Sequence, residues 1–292
     1  MSTFSPSEAA ACGRLVELAL AEDLGDAGDR TSLATIPAEA SGRAAFVARS
    51  EGVLAGLPAV AQVAAAVDPR LSVEFLAADG DRLTPGTRVA VIAGPLRSLL
   101  VAERTALNFL QRLSGVASLT RRYVDAVAGL PVQVLDTRKT TPGWRLLEKY
   151  AVRMGGGVNH RIGLFDGVLI KDNHLAGLGD PSTSVRRAVE LARAYPGNAG
   201  LPVEVEVDTL EQLEQALAVR PEIVLLDNMP PDVLRQAVSL RDAKSPGTRL
   251  EASGGVNLST IRAIAEAGVD RISVGALTHS APALDIGLDY DG

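Results

Sequence analysis

Apolar and polar positions follow two rhythms along this chain. Up to about residue 130, strands and helices are mixed without regular alternation. Residues 7–23 place Leu15, Leu18, Ala19 and Glu22 at helical spacing, and the polar stretch 22–32 (EDLGDAGDRTS) ends that helix. Residues 42–53 predict a strand leading into a turn, 57–67 an alanine-rich helix, and 71–76 a short strand. Asp79-Gly80-Asp81 and Pro85-Gly86 mark two turns ahead of the apolar stretch 89–93. A long helix follows over 96–117, with Leu96, Leu99, Leu100, Leu107, Leu110 and Leu113 on its buried side. This irregular mixture predicts a separate α+β domain.

From residue 131 the rhythm changes. Apolar runs of strand length recur at 132–135, 168–170, 203–207, 223–226, 250–252 and 272–274. Helical patterns separate most of them, at 144–153, 182–195, 210–219, 231–240 and 258–267. Alternation repeated this often predicts a parallel sheet, and six units favour a barrel over an open sheet. In either architecture the chemistry gathers where the strands end. Those ends carry, in order, Arg138 and Lys139, Lys171 and Asp172, Glu206 and Asp208, Asp227 and Asn228, Ser253-Gly254-Gly255, and Gly275. In 203–208 (VEVEVD), strict alternation sends the valines to one face and Glu204 and Glu206 to the other. In a barrel the apolar face meets the helices, so both glutamates point inward, where a carboxylate needs a cation or a ligand.

Charge sharpens this picture. The window 134–174 holds seven Lys/Arg residues (Arg138, Lys139, Arg145, Lys149, Arg153, Arg161, Lys171) against four acids, in a chain of formal charge −6. It also holds His160, His174, the only tryptophan (Trp144) and the run Gly155-Gly156-Gly157. Cations released at the ends of buried strands build an anion site. The glycine-rich turn at 253–255 and Gly275 after the last strand offer backbone N–H groups to a phosphate. The residues alone therefore predict a barrel enzyme with a phosphate-bearing substrate, a pocket for a second anion, and two inner carboxylates suited to hydroxyls or Mg²⁺. Phosphoribosyl transfer fits. A sugar-phosphate aldolase using Lys171 as a Schiff-base amine fits as well. A binding protein without turnover explains the inward glutamates poorly.

Composition excludes several classes. With 292 residues and 47% hydrophobic content the chain can bury a full core, as one large domain or two. One cysteine, Cys12, excludes an internal disulfide framework and fits a reducing compartment. The opening MSTFSPSEAA has no basic region followed by a long apolar run, and no stretch approaches the roughly 20 apolar residues of a membrane helix. The acidic balance gives no pull toward nucleic acid. The expectation is a soluble, cytoplasmic protein acting on small molecules.

Several segments carry a resemblance: AERTALNFLQRLSGVAS (102–118), the whole of 136–174, VEVEVD (203–208), LLDN (225–228), EASGGV (251–256) and SVGALTHS (273–280). Together with the 22–32 loop they make the chain resemble the nicotinate-nucleotide pyrophosphorylases (carboxylating), also called quinolinate phosphoribosyltransferases. The resemblance covers nearly the whole length, in order and without large insertions. It implies an α/β fold: an N-terminal α/β sandwich domain (1–117, with the tail 280–292 packed on it) and an incomplete, seven-stranded α/β barrel (118–279). Seven strands are one more than the apolar runs supply. It also implies homodimers, sometimes hexamers, with Arg104 donated across the interface, whereas spacing alone reads Arg104 as a solvated helix residue.

The implied reaction joins quinolinate and phosphoribosyl pyrophosphate, with Mg²⁺, giving nicotinate mononucleotide, pyrophosphate and carbon dioxide. By this resemblance Arg104, Arg138, His160, Arg161 and Lys171 pair with the two quinolinate carboxylates, and arginine can do so bidentately. Lys139 faces the phosphoribosyl pyrophosphate. Glu206 and Asp227 hold ribose hydroxyls or Mg²⁺ and stabilise positive charge at the anomeric carbon. Ser253, Gly254, Gly255 and Gly275 cradle the 5′-phosphate. His174 and His279 are expected to be structural. A relative with another acceptor, such as nicotinate, stays open, although one carboxylate would use fewer cations.

Overall fold

Ser5 starts the first helix by a reciprocal cap: its Oγ accepts the Glu8 amide at 3.3 Å and its own amide donates to Glu8 Oε2 at 2.8 Å. The structure is a computed structural model and describes residues 3–179 and 184–291. The chain begins α1 (Pro6–Leu24), α2 (Arg30–Thr35), β1 (Ser41–Ala48), β2 (Gly52–Val53), α3 (Leu57–Val67), β3 (Ser72–Phe75), β4 (Arg82–Leu83), β5 (Arg88–Pro95) and α4 (Leu96–Ala126). It continues β6 (Gln133–Leu135), α5 (Arg145–Met154), β7 (Val168–Ile170), α6 (Asp172–Ala176), α7 (Ser184–Ala194), β8 (Val203–Val207) and α8 (Leu210–Val219). Last come β9 (Ile223–Asp227), α9 (Pro231–Lys244), β10 (Arg249–Ser253), α10 (Ile261–Glu266), β11 (Arg271–Ser273), α11 (Ala276–His279) and β12 (Ile286–Tyr290).

These elements divide into two compact units, one of Met1–Arg121, Lys139–Gly156 and Leu277–Gly292, the other of Arg122–Arg138 and Gly157–Ala276. In the first, an antiparallel sheet runs β12-β1-β5-β3, with β1 paired to β5 from Ser41–Pro95 to Val47–Arg88. Its buried face brings Ala45, Val47 and Val91 together. The stretch 22–32 is not all loop: Asp29 accepts the amides of Thr31 and Ser32, both at 3.0 Å, and so caps the short α2. The long helix α4 runs nine residues past the expected end at 117. Gly115, which invites a stop in the sequence, instead lets the Pro282 backbone lie against the helix, where a Cβ would collide with the Pro282 carbonyl.

The second unit holds a six-stranded parallel sheet in the order β6-β11-β10-β9-β8-β7. Each strand matches an expected apolar run. The seventh strand is a single residue pair: Val158 bridges in parallel to Leu135, its amide donating to the Val134 carbonyl at 2.9 Å while its carbonyl accepts the Asp136 amide at 3.3 Å. Three glycines precede it and polar residues follow, so no apolar run marks it. Among the described residues no pairing joins Val158 to β7, and the barrel is left incomplete. The helix expected from residue 182 is observed from Ser184; residues 182 and 183 lie outside the described residues. No helix of the described residues is long and apolar enough to cross a membrane.

Candidate active site

Register places the charged side chains of the second unit. Glu204 pairs with Ile223, Glu206 with Leu225, Glu251 with both Leu225 and Arg271, and Ser253 with Asp227. In a parallel sheet such partners share a face, so these groups line the same side as the alternation of VEVEVD requires. Val203, Val205 and Val207 are buried on the other side.

Two levels follow along the strands. At the inner level the His160 Nε2 lies 3.1 Å from Glu204 Oε2 and 3.3 Å from Glu251 Oε1, and the Arg271 Nε lies 2.9 Å from Glu251 Oε2. Asp136, fully buried just past β6, sets the histidine's place: its carboxylate accepts the Asn159 side-chain amide at 2.6 Å and the His160 backbone amide at 2.9 Å. The His160 Nδ1 accepts the Arg161 amide at 2.8 Å, which assigns Nε2 as the proton-bearing nitrogen between the two carboxylates. Burial opposes a charge on this ring, but the hydrogen bonds and charges of Glu204 and Glu251 outweigh it and push His160 up to about 9. Burial likewise raises Glu204, while His160 and Arg271 overcome burial and lower Glu251. The layer therefore keeps a proton on the His160–Glu204 pair at neutral pH.

A cavity of about 260 Å³ adjoins this layer, lined by His160, Arg161, Glu204 and Arg271 among others. The ligand atoms of His160, Glu204 and Glu251 lie within 4.8 Å of one another, which by distance alone would admit a cation. Arg271 offsets the charge of Glu251, and the proton kept on the His160–Glu204 pair offsets the other carboxylate, so the layer reads as an internal ion network.

At the outer level, toward the C-terminal ends of the strands, Lys171 Nζ is bonded to the Glu206 carboxylate. The Lys171 amide donates to His174 Nδ1 at 2.9 Å, which gives His174 a structural role at the start of α6. Asp227 accepts the Asn228 side-chain amide at 2.5 Å. Asn228 has φ 52°, and its own amide donates to the Ser253 carbonyl at 2.9 Å, tying the ends of β9 and β10. Gly254, at φ +89°, fits against it: a Cβ there would overlap the Asn228 side chain and stand 2.9 Å from its backbone nitrogen. Gly255 also has positive φ, with open space around it.

Arg161 donates to the Gly167 carbonyl at 3.1 Å. Burial lowers its proton affinity, and the charge of Arg138 lowers it further.

The predicted residues are thus distributed between the units. Arg138, His160, Arg161, Lys171, Glu206, Asp227, Ser253, Gly254, Gly255 and Gly275 belong to the second. Arg104, exposed on α4, and Lys139, exposed after β6, belong to the first. Sequence reasoning did not single out Asp136, Glu251 or Arg271. The alternation of 249–253 would have flagged Glu251, since Leu250 and Ala252 take the opposite face.

A profile of the quinolinate phosphoribosyl transferase N-terminal domain matches residues 29–114, and one of its C-terminal domain matches residues 116–289. The chain is 46% identical over 279 residues to the nicotinate-nucleotide pyrophosphorylase [carboxylating] of Mycobacterium leprae, covering 94% of this chain and 95% of that protein. It is 45% identical over 272 residues to a probable nicotinate-nucleotide pyrophosphorylase [carboxylating] of Synechocystis, covering 92% and 89%. Its structure superposes on that of the nicotinate-nucleotide pyrophosphorylase from Francisella tularensis with a TM-score of 0.88 at 40% identity, over 97% of each chain.

Proposed function

The chain belongs to the quinolinate phosphoribosyl transferase family, and from that premise we propose that it is a pentosyltransferase of NAD biosynthesis. It transfers the phosphoribosyl group of phosphoribosyl pyrophosphate to quinolinate, with loss of carbon dioxide, and forms nicotinate mononucleotide and pyrophosphate.

One observation carries the acceptor assignment: Arg138, Arg161 and Lys171 bring three cations to the unit that holds the parallel sheet, and burial, then the charge of Arg138, lower the proton affinity of Arg161. A planar dianion relieves that repulsion and can meet each arginine bidentately. Lys171 extends the same cationic side, while His160 borders it from the inner layer. Arg104 is exposed on α4 and free in direction to serve a partner subunit, in a homodimer or a hexamer.

The transfer needs little proton movement. The pyridine nitrogen attacks the anomeric carbon as pyrophosphate leaves, and the carboxylates of Glu206 and Asp227 stabilise positive charge developing on the ribose. Lys139 meets the departing pyrophosphate. Ser253, Gly254, Gly255 and Gly275 hold the 5′-phosphate with backbone N–H groups at strand ends. The quaternary ring nitrogen then stabilises the electron pair left on the adjacent carbon as carbon dioxide departs, and that carbon takes up a proton from water. Glu206 and Asp227 offer only oxygen donors from the ends of neighbouring strands, a set that suits Mg²⁺. When bound, the ion neutralises charge on the leaving pyrophosphate. A reducing cytoplasm suits a chain whose one cysteine is buried.

The aldolase alternative is weakened, because Lys171 is engaged by Glu206 and its side chain is 45% exposed, unlike the desolvated amine a Schiff base requires. The test is one assay of purified protein with Mg²⁺, phosphoribosyl pyrophosphate and carboxyl-labelled quinolinate, alongside a tube containing nicotinate. Labelled carbon dioxide and nicotinate mononucleotide from quinolinate are expected. Turnover with nicotinate alone would move the acceptor, and silence in both tubes would overturn the reading.

A further inference from the structure

An exposed lysine on a loop has a defined direction only if its main chain is fixed. Around Lys139 it is fixed twice. Thr278, fully buried in α11, donates its Oγ1 to the Lys139 carbonyl at 2.8 Å. Two residues on, Thr141 donates its amide to Glu148 Oε2 at 3.1 Å and its hydroxyl to Glu148 Oε1 at 2.9 Å. Glu148 is fully buried on α5, and Arg112 of α4 orients it through Nε at 3.2 Å and Nη2 at 2.5 Å. The same guanidinium donates to the carbonyls of Thr278 at 2.5 Å and Ala281 at 2.9 Å. One arginine thereby links both anchors of the tripeptide 139–141.

We propose that Thr278, Glu148 and Arg112 are positioning residues that clamp the 139–141 main chain and aim Lys139 at the leaving pyrophosphate. The inference rests on the reading of Lys139 given above. None of the three acts on substrate; each acts through the loop, held at the carbonyl of 139 and the amide of 141. A charged pair as buried as this could serve folding alone, and the two roles separate at Thr278. Thr278→Val keeps the volume and removes only the hydroxyl that holds Lys139, whereas Thr278→Ser keeps the hydroxyl.

The experiment compares T278V, T278S, T141V and K139A in the full-length protein by the labelled-quinolinate assay, with melting curves and hydrogen exchange of the 139–141 amides. In a site that works by placement, T278V should lower kcat on the order of 10- to 100-fold. Its KM for quinolinate should stay within about twofold while the 139–141 amides exchange faster. T278S should restore at least half of kcat, and T141V should lose a few-fold. Wild-type kcat in T278V, or equal losses in T278V and T278S, would overturn the clamp. If T278V does not fold, T141V decides: wild-type kcat with unchanged exchange overturns it. An inactive K139A beside a fully active T278V removes the clamp alone, and an active K139A removes both the clamp and the reading beneath it.

Discussion

Replacing Arg271 by methionine would strip the inner charged layer of one cation while keeping a long side chain on β11. Glu251 is fully buried and the Arg271 side chain is only 10% exposed, so little water could take the guanidinium's place. At an effective dielectric near 20, charges 2.9 Å apart attract by about 6 kcal/mol. The variant need not lose all of that, because Glu251 can take up a proton instead. Its ordinary value is 4.5, and the native layer holds it lower. At about 1.4 kcal/mol per pH unit, protonating it at pH 7 limits the penalty to about 3.4 kcal/mol. The sign then follows. In the variant the folded-state value rises above 4.5, so the penalty is small near pH 4.5 and grows as pH rises, to about 1.4 kcal/mol at pH 5.5. Thermal unfolding of R271M and wild type at pH 5.5 and pH 7 should differ by a few degrees and by roughly 7–14 °C, respectively. Adding Glu251→Gln to R271M should flatten that pH dependence. A penalty under about 1 kcal/mol at pH 7, or one independent of pH, would refute the picture of a buried, charge-balanced layer.

Gly254→Ala meets Asn228 at a backbone angle that favours glycine, so a loss on the order of 2 kcal/mol is expected, with a raised KM for phosphoribosyl pyrophosphate; an unchanged melting temperature would remove the close approach from the account. His160 is raised from 6.5 to about 9 by Glu204 and Glu251, so the stability its proton contributes is complete below about pH 6.5 and lost as pH rises through about 9. Wild type should therefore lose more melting temperature than H160N between these limits, and parallel slopes would refute it.

The barrel strands were legible because burial on both sides of a parallel sheet writes itself as short apolar runs, as at 223–226 and 250–252. The inward glutamates were legible from two-residue alternation alone. What escaped depends on partners distant in sequence. Val158 forms a strand through a single bridge, and no periodicity can mark one residue. Residues 286–290 look like a tail until β1 supplies a partner. Arg271 could not be matched to Glu251 before β10 and β11 were known to be neighbours. Arg104 shows the converse: spacing alone reads it as a solvated helix residue, and only the resemblance gave it a role.

The pairing of β12 with β1 also bears on how the protein is made. Arg49 and Asp289, 240 positions apart, form an ion pair in this sheet, and the residues of the second unit come between them. A ribosome delivers β1 early and β12 only after the whole of the second unit. The parallel sheet, complete by Ser273, can mature while the antiparallel one still lacks an outer strand. Until β12 emerges, β1 keeps an unpaired edge open to other chains. The strand 286–290 thus acts as a latch that closes the antiparallel sheet after the second unit has been made.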